Sequence, residues 1–208
     1  MRRFRPVLLL AAIASPAAGP SLAQTGYDGR PNSFVLTVKT GDIRLADGLQ
    51  TISGIDRRFE TTADTVFAIE GETRLEKEEN LSFGGEIFHF RNHFTQTGST
   101  GPGFENTLYS YGFLAKSKYY FRPGEVLQPY LGGGIGTVWS HDFSGPIHGL
   151  ANGLGYQAVA GLQLRTDRVG MRFEYMVLRG RLSDSEGDKV DASSRGVLFG
   201  LAFFFGRR

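Results

Sequence analysis

Four histidines and the polar residues near them are the first places to look for chemistry in this 208-residue chain. His89 and His93 form an H-x-x-x-H pair. On a helix that spacing would bring both imidazoles to one metal, but on a strand the two stand about 13 Å apart. The pair also lacks the Glu after the first His that a zinc protease uses. His141, Asp142, Ser144 and His148 share one polar stretch and could supply the base and nucleophile of a lipid hydrolase. A solvated loop is the simpler reading, because loops carry such residues by default. The run Gly132 to Gly136 cannot cradle a phosphate, since no helix follows it. The chain has no Cys, which excludes disulfides, thiolate metal sites and a cysteine nucleophile. The expectation is therefore no catalytic, metal-ligating or cofactor-binding residue.

What remains is a set of charges embedded in alternating segments. Val169, Met171, Phe173, Tyr175 and Val177 share one face, with Arg172 and Glu174 on the other. Val197, Phe199, Leu201, Phe203 and Phe205 oppose Gly196, Gly200 and Ala202. Tyr156, Ala158, Ala160, Leu162 and Leu164 oppose Gln157, Gln163 and Arg165. Tyr109, Tyr111, Phe113, Ala115, Tyr119 and Phe121 oppose Ser110, Gly112, Lys116 and Lys118. Phe67, Ile69, Gly71, Thr73 and Leu75 oppose Glu70, Glu72, Arg74 and Glu76. A period of two, repeated five times, is a strand pattern. Two further strands are expected over 81–94 and 128–140. An eighth, over 33–45, changes its apolar frame from Phe34, Leu36 and Val38 to Ile43 and Leu45, as a bulge at Thr40-Gly41 would cause.

The connections alternate in length. Residues 77–80, 122–125 and 166–168 are tight turns. Segments 46–63, 95–106, 141–154 and 183–194 are long and polar. All short turns thus lie at one end and all long loops at the other. This predicts an all-β, eight-stranded antiparallel up-and-down barrel that spans a membrane. A soluble barrel of the lipocalin kind would need a solvated outer face. Here the faces opposite the apolar ones include Tyr130, Gly132, Gly134, Gly136 and Val138, and Gly196, Leu198, Gly200, Ala202 and Phe204, which carry no charge. They suit a crowded interior instead. Aromatics gather at both ends. Tyr119, Tyr120, Phe121, Tyr130, Phe203 and Phe205 fall at the short-turn end, and Phe94, Tyr109, Tyr111, Trp139 and Tyr156 near the long loops. Two such belts match the two interfaces of a bilayer.

Residues 1–23 begin with Arg2, Arg3 and Arg5, continue through the apolar run Val7 to Ala14, and end on Ser21-Leu22-Ala23. These are the three regions of a cleaved secretory signal, leaving 24–208 as the barrel. The segment holds three Arg and no acid, so the remainder carries 20 basic and 21 acidic residues, a formal net charge of −1. The basic balance of the whole chain belongs to the leader, and a nucleic-acid partner loses its support.

Three blocks carry a family resemblance. They are Gln128 to Gly136 (QPYLGGGIG), Tyr156 to Leu162 (YQAVAGL) and Val169 to Tyr175 (VGMRFEY). In order and spacing they resemble the small porin-family, opacity-type outer-membrane β-barrels of Gram-negative bacteria. The resemblance covers the chain well from about 106 onward and poorly over 24–63. It implies an outer-membrane barrel with its N-terminus and short turns in the periplasm. Implied partners are outer-membrane lipid, lipopolysaccharide and the barrel assembly machinery. It implies no activity, because members include adhesins and structural anchors. One departure is the C-terminus, where Gly206, Arg207 and Arg208 follow Phe205. Such barrels usually end on an aromatic residue that the assembly machinery reads.

In these frames Glu70, Glu72, Arg74, Glu86, Lys116, Lys118, Gln157, Gln163, Arg172 and Glu174 face the lumen. An eight-stranded barrel is only just wide enough for side chains to fill it, so opposite charges are expected to pair across it. A paired plug is the favoured expectation and a gated narrow pore the alternative. The function expected is structural, or interaction through four long loops. A lipid-modifying enzyme is a third class. The acidic segment 184–188 could meet a cationic partner or a divalent ion bridging to lipopolysaccharide, against the simpler account of a solvated loop. If the leader is removed, the membrane-extracted protein begins at or near Gln24, as intact-mass measurement would show. A mature protein that retains Met1 contradicts the assignment.

Overall fold

A computed structural model describes residues 32–45, 48–52, 55–75, 78–97, 105–142, 150–183 and 189–207. The expected leader, 1–23, lies outside them. The chain forms β1 (Asn32–Leu45), β2 (Gly48–Ile52), β3 (Ile55–Thr61), β4 (Asp64–Arg74), β5 (Leu81–Thr97), β6 (Glu105–Tyr120), β7 (Leu127–Asp142), β8 (Leu150–Arg165), β9 (Val169–Ser183), β10 (Lys189–Asp191) and β11 (Ser194–Arg207). Eight of these close into a barrel in the order β1, β4, β5, β6, β7, β8, β9, β11 and back to β1, every pair antiparallel. Closure leaves no barrel strand with an unpaired edge. The three short strands extend the sheet past the barrel wall at the long-loop end. There β2 pairs β3, β3 pairs the end of β5, and β10 bridges β9 and β2.

Alternation along each strand decides which side chains face where. On β9, Val169, Met171, Phe173 and Tyr175 are exposed, while Arg172, Glu174, Met176 and Leu178 are buried. The outer wall is apolar from strand to strand: Phe67 is 59% exposed, Ile87 61% and Val197 59%. Exposed apolar surface on this scale is stable against lipid, not against water. Aromatic side chains ring both margins of the wall. Tyr119, Phe121, Phe203 and Phe205 lie at the short-turn end. At the long-loop end His89, Tyr109, Tyr111, Trp139 and His141 stack, with ring centroids 4.5 Å apart for His89 and Tyr111 and 5.6 Å for Tyr111 and His141.

Three expectations need correction. The first strand has no bulge: its register against both β11 and β4 is unbroken, so Val35, Thr37, Lys39, Ile43 and Leu45 all face inward. The apparent frame change arises because the inner face is itself apolar near the long-loop end. Tyr120 and Tyr130 do not belong to the outer belt. Both are buried in the lumen, where their hydroxyls find carboxylates. Segments 46–63 and 183–194 contain the paired strands β2, β3 and β10. The Phe94 side chain, placed in the outer belt from sequence, lies outside the described residues.

Phe173 sits mid-strand on the outer wall, 48% exposed, edge-on to Phe199 at 5.2 Å. Replacing it by Arg is expected to cost roughly 2–4 kcal/mol of folding stability in bilayers. A denaturant titration in lipid vesicles reads this. A variant as stable as the parent, or a parent that folds as a monomer without lipid or detergent, contradicts the lipid-facing assignment.

Candidate functional site

Among the described residues, the strands bring many ionisable side chains together in the lumen. Its middle is charged, its upper part is largely apolar, and toward the short turns polar side chains stand beside a small apolar cluster of Val35, Ala202 and Phe204. Lys39 (β1), Glu70 and Glu72 (β4), Glu86 (β5), Lys116 and Lys118 (β6), and Arg172 and Glu174 (β9) meet in the middle, each no more than 5% exposed. Four cations face four carboxylates, so this group is electrically balanced. Charge buried so deeply is tolerated only when paired and hydrogen-bonded.

Every carboxylate in the group has several donors. The Glu70 carboxylate accepts from Lys39 at 2.9 Å, Lys116 at 3.0 Å and Arg172 at 2.9 Å, and from Lys118. Glu86 accepts from Lys116 at 3.0 Å, from Gln157 at 2.9 Å and from Lys39. Glu174 accepts from Lys39 and from the Tyr130 hydroxyl, each at 3.0 Å. Glu72 takes the second arm of Arg172 and the Tyr120 hydroxyl at 2.7 Å, with Lys118 at 3.3 Å. Lys39 thus bridges three carboxylates from β4, β5 and β9.

From Arg172 the hydrogen bonds run down to the turn between β6 and β7. Arg172 Nε donates to Gln163 at 2.8 Å, and Gln163 to Gln128 at 2.9 Å. Gln128 in turn donates to the carbonyls of Pro123 and Glu125. Arg74 donates to Gln128 at 2.7 Å and lies over the Tyr120 ring at 4.1 Å. Arg165 lies over Phe204 at 4.6 Å. Above the charges, Ile43, Val66, Phe88, Phe90, Leu114, Val138, Met176, Leu178 and Leu198 belong to one buried cluster. Phe88 and Phe90 stack at 5.7 Å, and the Ser110 and Ser140 hydroxyls pair at 2.7 Å near the top.

Glycines make room for the cation stems. Gly132 faces Lys118, Gly134 faces Lys116 and Gly200 faces Lys39 across their ladders. A Cβ added at these three would stand 2.7, 2.9 and 2.8 Å from the Cγ of the facing lysine. Gly200 also faces Arg172. Large side chains on one strand are therefore matched by absent ones on its neighbour, as close packing requires.

All ten side chains assigned to the lumen from sequence are buried there, and they form one connected set. Lys39 and Tyr120 were missed, as was the apolar upper layer, while Tyr130 was placed both on the inner face and in the outer belt. Lys39 carried a readable signal, because it follows Val35 and Thr37 on the face opposite Phe34, Leu36 and Val38. The carboxylates of Glu70, Glu86 and Glu174 have oxygens within 4.8 Å of one another, a spacing suited to a metal ion. The Lys39 ammonium touches all three, so the chemistry of that spot is already supplied by an amine. His89 and His93 both face outward. His93 Nε2 is 3.5 Å from Asp64, which Arg91 also contacts at 3.0 Å. His141 stacks on tyrosines, while Ser144, His148 and the acidic segment 184–188 lie outside the described residues.

No family model matches the chain, and no curated protein matches it in sequence. Solved structures do match in fold. The outer membrane protein OprG from Pseudomonas aeruginosa is 12% identical, with a TM-score of 0.62 over 86% of this chain and 98% of its own. Neisserial surface protein A gives 14% identity and a TM-score of 0.58 over 83% and 97%. The outer membrane protein AlkL, solved in lipid bilayers, gives 12% and 0.52 over 93% and 96%. At such identities the likeness establishes the architecture, that of a small outer-membrane β-barrel.

Lys39 reaches more carboxylates than an exposed pair such as Arg122 and Glu125 offers. Lys39→Ala is expected to lose on the order of 3–5 kcal/mol, because it leaves buried carboxylates short of a cation. Arg122→Ala should lose under about 1 kcal/mol. Urea titration in vesicles, followed by fluorescence of the single Trp139, measures both. Equal losses would show that the lumen charges are solvated.

Proposed function

We propose that this chain is an integral outer-membrane barrel, closed to solutes, that acts as a structural anchor and presents its long-loop end to the outside of the cell. The observation that carries the reading is the filled lumen. A balanced, hydrogen-bonded charge layer lies beneath an apolar layer formed by Phe88, Phe90, Leu114, Met176 and Leu178. A continuous file of water would have to break the first and wet the second, and apolar constrictions resist wetting. Export fits the leader expected from sequence, and outer-membrane lipid fits the apolar outer wall. Insertion by the barrel assembly machinery fits the outward Phe203 and Phe205 near the C-terminus. A ligand or surface partner would be met by the loops.

The pore alternative rests on the same charges, since breaking Lys39 or Lys116 from Glu86 would loosen the plug from one side. The apolar layer disfavours it, because separating charges does not remove Phe88 or Leu178 from the path. A lipid-modifying enzyme would need a base and a nucleophile together at the outer rim. The rim imidazoles His89 and His141 instead stack on Tyr109 and Tyr111, and no enzymatic role is proposed.

Planar-bilayer recording tests the reading. The wild-type barrel is expected to show no large, steady conductance, and Glu86→Ala alone should not create one, because the apolar layer persists. A large, stable wild-type conductance, unchanged by Lys116→Ala or Glu72→Ala, would overturn the plug and favour the pore.

A further inference from the structure

Seven of the eight strand pairs in the barrel wall join elements that follow one another along the chain, β1 and β4 through the β2–β3 hairpin and β9 and β11 through β10. The eighth, β1 with β11, joins the first strand to the last, and no turn ties it. Pairing between segments so distant in sequence carries the largest closure entropy. Its outer contacts add little in a bilayer. Phe34 and Phe205 meet there with ring centroids 6.1 Å apart, but lipid chains can replace either ring for the other. An open seam would present two strand edges with unpaired backbone groups. Side chains that hold it shut have to act from inside the wall.

The last strand brings no charge inward. Its buried positions are Ser194, Gly196, Leu198, Gly200, Ala202 and Phe204. Charges from the strands on either side meet over it instead. Lys39 on β1 reaches Glu174 on β9 at 3.0 Å, and Arg172 on β9 reaches Glu70 on β4 at 2.9 Å and also Glu72. Gly200 lies beneath this crossing, opposite Lys39 on one side and Arg172 on the other. A Cβ there would stand 2.8 Å from Lys39 Cγ and 3.1 Å from Thr37 Cγ2, so the missing side chain makes room for the lysine stem. Lys39 also holds Glu70 at 2.9 Å, and Glu86. One ammonium thus ties carboxylates of β4 and β5 to that of β9. Parting the seam would separate these charges beside hydrocarbon, where lipid chains offer them no substitute partner.

We propose that Lys39 and Arg172 form an ionic latch across the seam between β1 and β11, seated over Gly200, that locks the barrel wall against opening between its first and last strands. Opening there would part the wall without separating strands that are neighbours in the chain, and the latch keeps lipid and foreign strands out of that route. It concerns the wall and not the passage of solutes, so it stands or falls separately from the sealed lumen of the proposed function.

Hydrogen–deuterium exchange of the folded barrel in phosphatidylcholine nanodiscs, read by mass spectrometry strand by strand, tests the latch. Lys39→Met keeps the length of the stem and removes the charge. It is expected to speed exchange of the β1 and β11 amides about tenfold or more, while β7 and β8, on the far side of the barrel, change by less than about twofold. Lys116→Met is the control. It takes a cation from the same Glu70 and Glu86 carboxylates, but from β6, away from the seam, and should leave β1 and β11 no faster than β7 and β8. An equal rise in every strand of the Lys39→Met barrel would overturn the latch and leave only a general loss of stability. Seam exchange raised as much by Lys116→Met as by Lys39→Met would overturn it too. If Lys39→Met does not fold, the parent barrel carries the test. Its β1 and β11 amides should exchange no faster than those of β7 and β8, and exchange about tenfold faster at the seam would show it unlatched.

Discussion

The structure depends on one constraint: an eight-stranded barrel is so narrow that its own side chains must fill it, and any charge they bring inside must be neutralised there. In the middle of the lumen that is done by four cations and four carboxylates that share donors and acceptors, while Arg74 below them meets Gln128 and the Tyr120 ring. Glycines on the facing strands supply the space. Gly132, Gly134 and Gly200 lie against the lysine stems, so the glycine-rich run of β7 is the counterpart of the basic alternation on β6.

The same network sets the register. Lys39, Glu70, Glu86, Lys116, Tyr130, Gln157, Arg172 and Glu174 come from β1, β4, β5, β6, β7, β8 and β9. A slip of one residue between any two of these strands would turn charges toward the outer wall and apolar side chains inward. β11 takes part through absence, with Gly200 beneath Lys39 and beside Arg172. Mutual charge satisfaction therefore selects one closed arrangement among the many ways an alternating sequence can pair. The apolar layer above has a different consequence. It separates the charge layer from the long-loop end and makes this interior unlike a water-filled channel, whose lining is polar throughout.

Much of this was legible in the sequence, and the exceptions share one physical cause. Alternation with polar residues on one face revealed β4, β6 and β9 and their inward charges. Where both faces are apolar, alternation carries no contrast. That is why β1 looked bulged at Gly41, although Ile43 and Leu45 continue the inward frame begun by Val35 and Thr37. The same lack of contrast holds on β5, where the buried Phe88 and Phe90 alternate with the outward Ile87 and His89. Tyr120 was placed in the belt, and Tyr130 both there and on the inner face, because a tyrosine suits both an interface and a lumen. Only their cross-barrel partners, Glu72 and Glu174, distinguish the two. Pairings across the lumen, such as Arg172 with Glu70, depend on closure and leave no local trace.

The central claim is that the lumen charges are paired and dry. Nuclear magnetic resonance of the ammonium groups of Lys39, Lys116 and Lys118 in the folded barrel tests it most directly. Ammonium protons held by buried carboxylates exchange slowly with water, whereas exposed ones are lost to exchange. The account predicts separate, slowly exchanging ammonium signals for these three lysines. Ammonium protons that exchange as fast as those of a solvent-exposed lysine would contradict it.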